Sequence, residues 1–167
     1  MIRFTTHMVT FAEIPDEISL SFNISNCQNH CVGCHSPELR QNVGEILTTE
    51  RLSSIVRSND GITCVLFLGE GNDLDALLEL SGCVHSLGLK SALYSGRETD
   101  EIEPEVWASF DYVKVGPYVE WFGPLSAPTT NQRLYKISPR KTISISEDYP
   151  FDRLERTDIT KKFWREI

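Results

Sequence analysis

Cys27, Cys31 and Cys34 stand in a C-x3-C-x2-C pattern, and a 167-residue chain with five cysteines has placed three of them in one short stretch. Thiolates spaced this closely can wrap a cubane and bind three of its four irons, leaving the fourth open to a substrate or cofactor. Gly33, between the second and third cysteine, lets backbone approach the cluster, and nearby amides can donate hydrogen bonds to sulfur and help set a reduction potential. Two other metal chemistries fit part of the pattern. Cys31 to His35 satisfies C-x-x-C-H, the c-type haem attachment signature, but that reading leaves Cys27 without a role. A structural zinc site would recruit His30, His35, Cys64 or Cys83 as fourth ligand, and lacks the usual second ligand pair. Cys64, within the apolar run ITCVLFL, and Cys83, within a helical pattern, read as inert core thiols.

A second group of residues lies further on. Gly69-Glu70-Gly71 directly follows the apolar run over 62–68, and Asn72 or Asp73 can cap the helix after it. A glycine turn alone is weak evidence of function. Its position, at the carboxyl end of a parallel strand, is where ligands bind in such sheets. Ser95 and Gly96 end another strand in YSGR and can line the same rim. Lys114 alternates with apolar residues in DYVKV, pointing either to the rim or to solvent.

These residues need elements to hold them. Alternation over 18–24 predicts a strand that stops just before Cys27. Residues 28–47 hold Gly33, Pro37 and Gly44 with little periodicity and read as a long functional loop. A helix capped at Thr48 or Thr49 runs to about Ser58. The run over 62–68 has the pattern of a strand buried on both faces. A helix over about 72–87 stops at Gly88 and precedes a strand over 90–94. A shorter helix over 101–109 and strands over 112–115 and 134–137 complete a βαβαβ rhythm. Residues 1–146 are therefore expected to form one α/β domain with a mostly parallel sheet, and 147–167 a C-terminal tail in which Phe163 and Trp164 are candidate anchors.

Composition narrows the function. Hydrophobic residues at 40% and charged residues at 24% suit a globular chain. No apolar stretch approaches the roughly 18 residues of a membrane span, and the N-terminus lacks a signal-peptide core, so a cytoplasmic protein is expected. Sixteen Lys+Arg against 24 Asp+Glu give a net charge of −8, which repels nucleic acid. An odd number of thiols in a reducing compartment favours metal or redox chemistry over disulfides.

The stretch SFNISNCQNHCVGCHSPEL resembles the cluster loop of radical S-adenosylmethionine enzymes, in particular the activating proteins of anaerobic ribonucleoside-triphosphate reductase. FDYVKVGPY resembles a late strand of that family, and TTNQRLYKI its S/T-N-Q signature, so the likeness spans about 17–137. It implies an incomplete, open (β/α) barrel. A [4Fe-4S] cluster would sit on Cys27, Cys31 and Cys34, with S-adenosylmethionine chelated to the open iron and contacted by Gly33, Cys34, His35, Gly69, Glu70, Gly71 and Ser95. One-electron cleavage of the cofactor gives a 5′-deoxyadenosyl radical, which takes hydrogen from a glycine Cα of the reductase. A flavodoxin- or ferredoxin-like protein is implied as electron donor. The family ends its second strand in G-G-E or G-G-D. Here the order is Gly69-Glu70-Gly71, so that Glu70, or Asp73, is the acid toward the cofactor's ammonium. Activation of another glycyl-radical enzyme, or a non-catalytic zinc-binding module, are the alternatives.

Overall fold

The apolar run becomes β4 (Cys64–Leu68), with Cys64, Val65, Leu66 and Phe67 fully buried because both faces of the strand are covered. The structure, a computed structural model, describes residues 1–29, 31, 33–34, 36–139 and 154–164. On one side β4 pairs in parallel with β2 (Ser19–Ile24), and on the other with β5 (Lys90–Tyr94), which pairs in parallel with β6 (Tyr112–Val115). One register row crosses all three pairs: Asn23 opposite Leu68, Leu68 opposite Tyr94, Tyr94 opposite Lys114. The ends of four strands therefore open on one rim.

The outer strands overturn the barrel expected from the resemblance. β1 (Arg3–Thr10) lies antiparallel to β2, and the two-residue β3 (Glu45–Ile46) antiparallel to β1. At the far edge β7 (Arg133–Pro139) is antiparallel to β6, and β8 (Leu154–Asp158) antiparallel to β7. The order is β3-β1-β2-β4-β5-β6-β7-β8, an open mixed sheet in which antiparallel pairs outnumber parallel ones. A (β/α) barrel needs a crossover helix after each strand so that every neighbour runs the same way. Among the described residues only three α-helices exist, and none separates β1 from β2 or β6 from β7. The strands at both edges double back, and the sheet is not a barrel and not mostly parallel.

The three helices pack on one face. α1 (Thr49–Arg57) starts where the Thr48 hydroxyl accepts from the Arg51 amide at 3.0 Å, and α2 (Leu74–Ser86) where the Asp73 carboxylate accepts from Ala76 at 3.1 Å. α3 (Pro104–Ser109) begins with proline, whose missing N–H is not needed there. Leu52, Ile55, Leu77, Leu80, Val84 and Val106 meet Phe22, Phe67, Leu93 and Val113 of the sheet. Among the described residues no helix is long and apolar enough to cross a membrane.

The opposite face holds a smaller apolar cluster, Ile14, Leu66, Ala92, Tyr112, Leu134 and Ile159 among it, and a polar network at the amino ends of the strands. Glu17 accepts from Lys90 Nζ at 2.5 Å, from the Tyr112 hydroxyl at 2.8 Å and from the Thr63 hydroxyl. It ties the segment before β2 to β4, β5 and β6 at once. Burial pushes the Glu17 carboxyl up, but the bonds from Lys90, Thr63 and Tyr112 outweigh it and hold it below its ordinary 4.5. Burial also drives the Cys64 thiol up to about 12, so that it stays protonated, as expected of a core cysteine.

A carboxyl depressed on folding stabilises fully above its unfolded value and loses that contribution as pH falls through the folded one. Glu17→Gln is therefore expected to destabilise at neutral pH by less than the roughly 3–5 kcal/mol of a fully buried broken pair, because Lys90 is half in water. Thermal unfolding against pH should show the variant and wild type converging below pH 4.5. A constant gap down to the acid limit would contradict this role.

Candidate functional site

At the carboxyl end of β2 the chain leaves the sheet through Ser25, whose amide still donates to the Arg3 carbonyl at 3.0 Å. Asn26 then takes a left-handed backbone (φ 60°), which asparagine tolerates better than most residues, and turns the chain into Cys27. The loop that follows is pinned from one side. The amides of Asn26 and Cys27 donate to the carbonyls of Gln41 and Leu39, each at 2.9 Å, and the Ser25 hydroxyl donates to Val43 at 2.6 Å. Arg40, ending a short 3-10 helix (Pro37–Arg40), donates from Nη2 to the Cys31 carbonyl at 2.7 Å. The stretch without periodicity is thus a returning segment that clamps the cysteines.

All three thiols are half-buried. The Ser36 amide donates to Cys34 Sγ at 3.4 Å, and Asn29 Nδ2 approaches Cys27 Sγ at 3.9 Å. Gly33 has φ +74°, a left-handed backbone that favours glycine, while a β-carbon there would make ordinary contacts with Glu120 Oε2 at 3.4 Å and the Tyr118 ring at 3.7 Å. Among the described residues no three His, Cys, Asp or Glu side chains converge on a point that would hold one metal ion. Thiolates on a cubane bind separate irons and stand wider apart than thiolates sharing one ion. His30 and His35 lie outside the described residues.

At the end of β4, Gly69 (φ +115°) donates its amide to the Tyr94 carbonyl at 3.1 Å and runs beneath the Ile24 carbonyl. Gly71 (φ +64°) passes so near Ile2 that a β-carbon would meet its Cδ1 at 2.9 Å. Between them Glu70 turns to β5. Its carboxylate accepts from the Ser95 hydroxyl at 2.8 Å and from Arg97 at 2.5 and 3.1 Å. Arg97 in turn grips Glu103 at 2.7 and 2.9 Å, and these hydrogen bonds drive its guanidinium still further up. A carboxylate offers about four acceptor positions, so Glu70 retains room for another donor. Asp73 is engaged by the Ala76 amide and by the Met1 ammonium.

The structure brings Cys27, Glu70 and Gly71 together around a cavity of about 260 Å³, which Asn29, Asp73 and Arg97 also line. Ser95 joins through Glu70. Cys31 opens instead on a second, wider recess of about 780 Å³ formed with residues 117–121, where Trp121 is 91% exposed. Asn131 orders that loop by donating to the Pro117 carbonyl at 3.1 Å. Gly69 contacts β2 and not the cavity, and Cys34 faces its own loop.

Two cations at this rim, Arg97 and Arg40, were not assigned to the site from the sequence, which left a third, Lys114, between rim and solvent. Arg97 sits two residues past Ser95, and Arg40 six past Cys34, where a charge in a loop carries no pattern of its own. Lys114, on the last row of β6, is buried against the rim and does not point to solvent. Burial pulls its ammonium down to about 8, against the pull of Cys31, Glu70 and Cys27 in the other direction. No family model, curated protein or solved structure matches this chain.

A lysine whose folded value lies below the ordinary 10.5 binds its proton less firmly than in the unfolded chain, so stability from this group rises with pH between those values. In reduced, metal-free protein, wild type should gain on the order of 3 kcal/mol over Lys114→Met between about pH 7 and pH 10.5. Urea unfolding reads this difference directly, and parallel pH curves for the two proteins would contradict the burial of a charged Lys114.

Proposed function

We propose that Cys27, Cys31 and Cys34 hold a [4Fe-4S] cluster with one iron free of protein ligands, and that the chain is a radical S-adenosylmethionine activase. Its substrate would be a glycine of a glycyl-radical enzyme, the anaerobic ribonucleoside-triphosphate reductase. The observation that carries this reading is the arrangement of the cysteine loop. Three half-buried thiols lie on one loop clamped by residues 36–43 at the rim where β2 and β4 end, and the first of them, Cys27, lines the cavity that reaches Glu70 and Gly71.

The donor set fits such a cluster. It is all sulfur, spread along one loop, and two of the three sulfurs already receive N–H donors of the kind that tune iron–sulfur centres. When bound, the cluster supplies one electron to cleave the sulfonium cofactor. The chain's own residues do the positioning. Glu70, fixed by Ser95 and Arg97, presents its remaining acceptor position to an ammonium group. Gly71 leaves the backbone bare at the same wall, and Gly33 gives the loop its left-handed turn beside Glu120 and Tyr118. The wide recess beyond Cys31, with Trp121 projecting at its edge, suits a macromolecular substrate, since exposed tryptophans are frequent anchors at protein interfaces. A net charge of −8 disfavours nucleic acid as that partner. Such chemistry would call for a reducing compartment, the cytoplasm, and a flavodoxin- or ferredoxin-like electron donor.

The test mixes anaerobically reconstituted, reduced protein with S-adenosylmethionine and a candidate reductase and follows the mixture by electron paramagnetic resonance. The expected signal is a glycyl radical on the reductase, absent with Cys31→Ala, accompanied by methionine and 5′-deoxyadenosine. A colourless protein that binds one zinc, or cofactor that survives intact, would overturn the proposal.

A further inference from the structure

Lys114 poses an electrostatic question that the activase reading does not answer. The residue is 7% exposed, on the sheet face that carries Leu66, Ala92 and Tyr112, in the register row of Leu68 and Tyr94. Among the described residues no carboxylate comes within ion-pair distance of it. Its Nζ donates to the carbonyls of Ser95 at 3.1 Å and Gly116 at 3.0 Å, and lies 5.7 Å from the centroid of the Tyr94 ring. Those contacts satisfy two of three N–H donors and leave the charge without a counter-ion. An ammonium removed from water in that way is expensive, and methionine or leucine would fill the same row without the cost.

Lys114 holds the Ser95 carbonyl, and the next residue, Gly96, packs against the Asn29 side chain of the cysteine loop, so that the acidic groups acting on Lys114 are Cys31, Glu70 and Cys27. Glu70 is bound by Arg97, a single cation that it shares with Glu103, and stands outside ion-pair distance of Lys114. Two members of the cysteine loop remain, together with whatever negative charge they carry. Lys90, on the same face of the sheet, shows the contrast. It is half exposed and has its own carboxylate, Glu17, at 2.5 Å. The same sheet face thus holds a paired lysine at the amino ends of its strands and an unpaired one at the carboxyl rim.

We infer that Lys114 is the built-in counter-cation of the group held by Cys27, Cys31 and Cys34, and that its charge raises that group's reduction potential. This rests on the cluster proposed above. Adding an electron makes a thiolate-bound cluster more negative, so a fixed positive charge in a dry environment favours the reduced form. Lys114 is in this sense a positioning charge and not a catalytic residue.

The test compares wild type with Lys114→Met, Lys114→Gln and the control Lys90→Met. All four are reconstituted anaerobically, assayed for iron, and titrated against redox mediators with detection by electron paramagnetic resonance. At equal iron content both Lys114 variants should be harder to reduce by tenfold or more in the equilibrium, about 59 mV for one electron. Lys90→Met, which also removes one positive charge but four residues back along β5, should titrate with wild type. The glutamine variant keeps a donor for the Ser95 and Gly116 carbonyls and carries the test if methionine prevents folding. Lys114 variants that load fully and titrate with wild type would overturn the inference alone, whereas wild type that takes up no iron would overturn the cluster itself.

Discussion

Parallel pairing of β2, β4, β5 and β6 in one register is the constraint on which the rest of the structure depends. Because the row Asn23, Leu68, Tyr94, Lys114 is level, the residues that follow each strand emerge side by side. Cys27, Glu70, Ser95 and Lys114 are distant in sequence and come together only because four strands stop at the same height. A slip of one residue in β4 would exchange the faces of Leu66 and Phe67, moving apolar side chains from one core to the other. The apolar pattern that builds the two cores therefore also fixes the site.

Charge is distributed along the strands with the same economy of position. At the amino ends Glu17, Lys90, Tyr112 and Thr63 form a network in which each polar atom has a partner, and the result is a staple across three strands. At the carboxyl rim Arg97 binds two carboxylates, Arg40 holds a main-chain carbonyl of the cysteine loop, and Lys114 has no carboxylate within ion-pair distance among the described residues. A satisfied network stabilises the fold, and an unsatisfied charge marks a place where something else is to be accommodated.

Much of this was legible in the sequence, for physical reasons that differ by residue. The run ITCVLFL had the pattern of a strand covered on both faces, and the helix starts were each narrowed to two possible caps, Thr48 or Thr49 and Asn72 or Asp73, of which Thr48 and Asp73 serve. The cysteine spacing was legible because three thiols close together on one loop stand out from Cys64 and Cys83, which lie singly in apolar patterns. The outer strands β1 and β8 were not. RFTTHMVT is mostly polar and half exposed, and LERTD has four exposed residues out of five, so neither carries an apolar pattern that distinguishes an outer strand from a loop. With those strands unseen, a rhythm of parallel units suggested a barrel where the sheet is open and mixed. The partners of Glu70 were equally hidden, because an arginine 27 positions along the chain reaches it only through the β4–β5 pairing.

The central claim is that three sulfur ligands leave one iron vacant for the amino and carboxylate groups of a sulfonium cofactor. Electron–nuclear double resonance on the reduced, reconstituted protein with S-adenosylmethionine labelled by ¹⁵N at its amino group and ¹⁷O at its carboxylate tests it most directly. The account predicts hyperfine coupling of both labels to the cluster, lost when unlabelled cofactor replaces the labelled one. A cluster that shows neither coupling, with a protein side chain on its fourth iron, would contradict it.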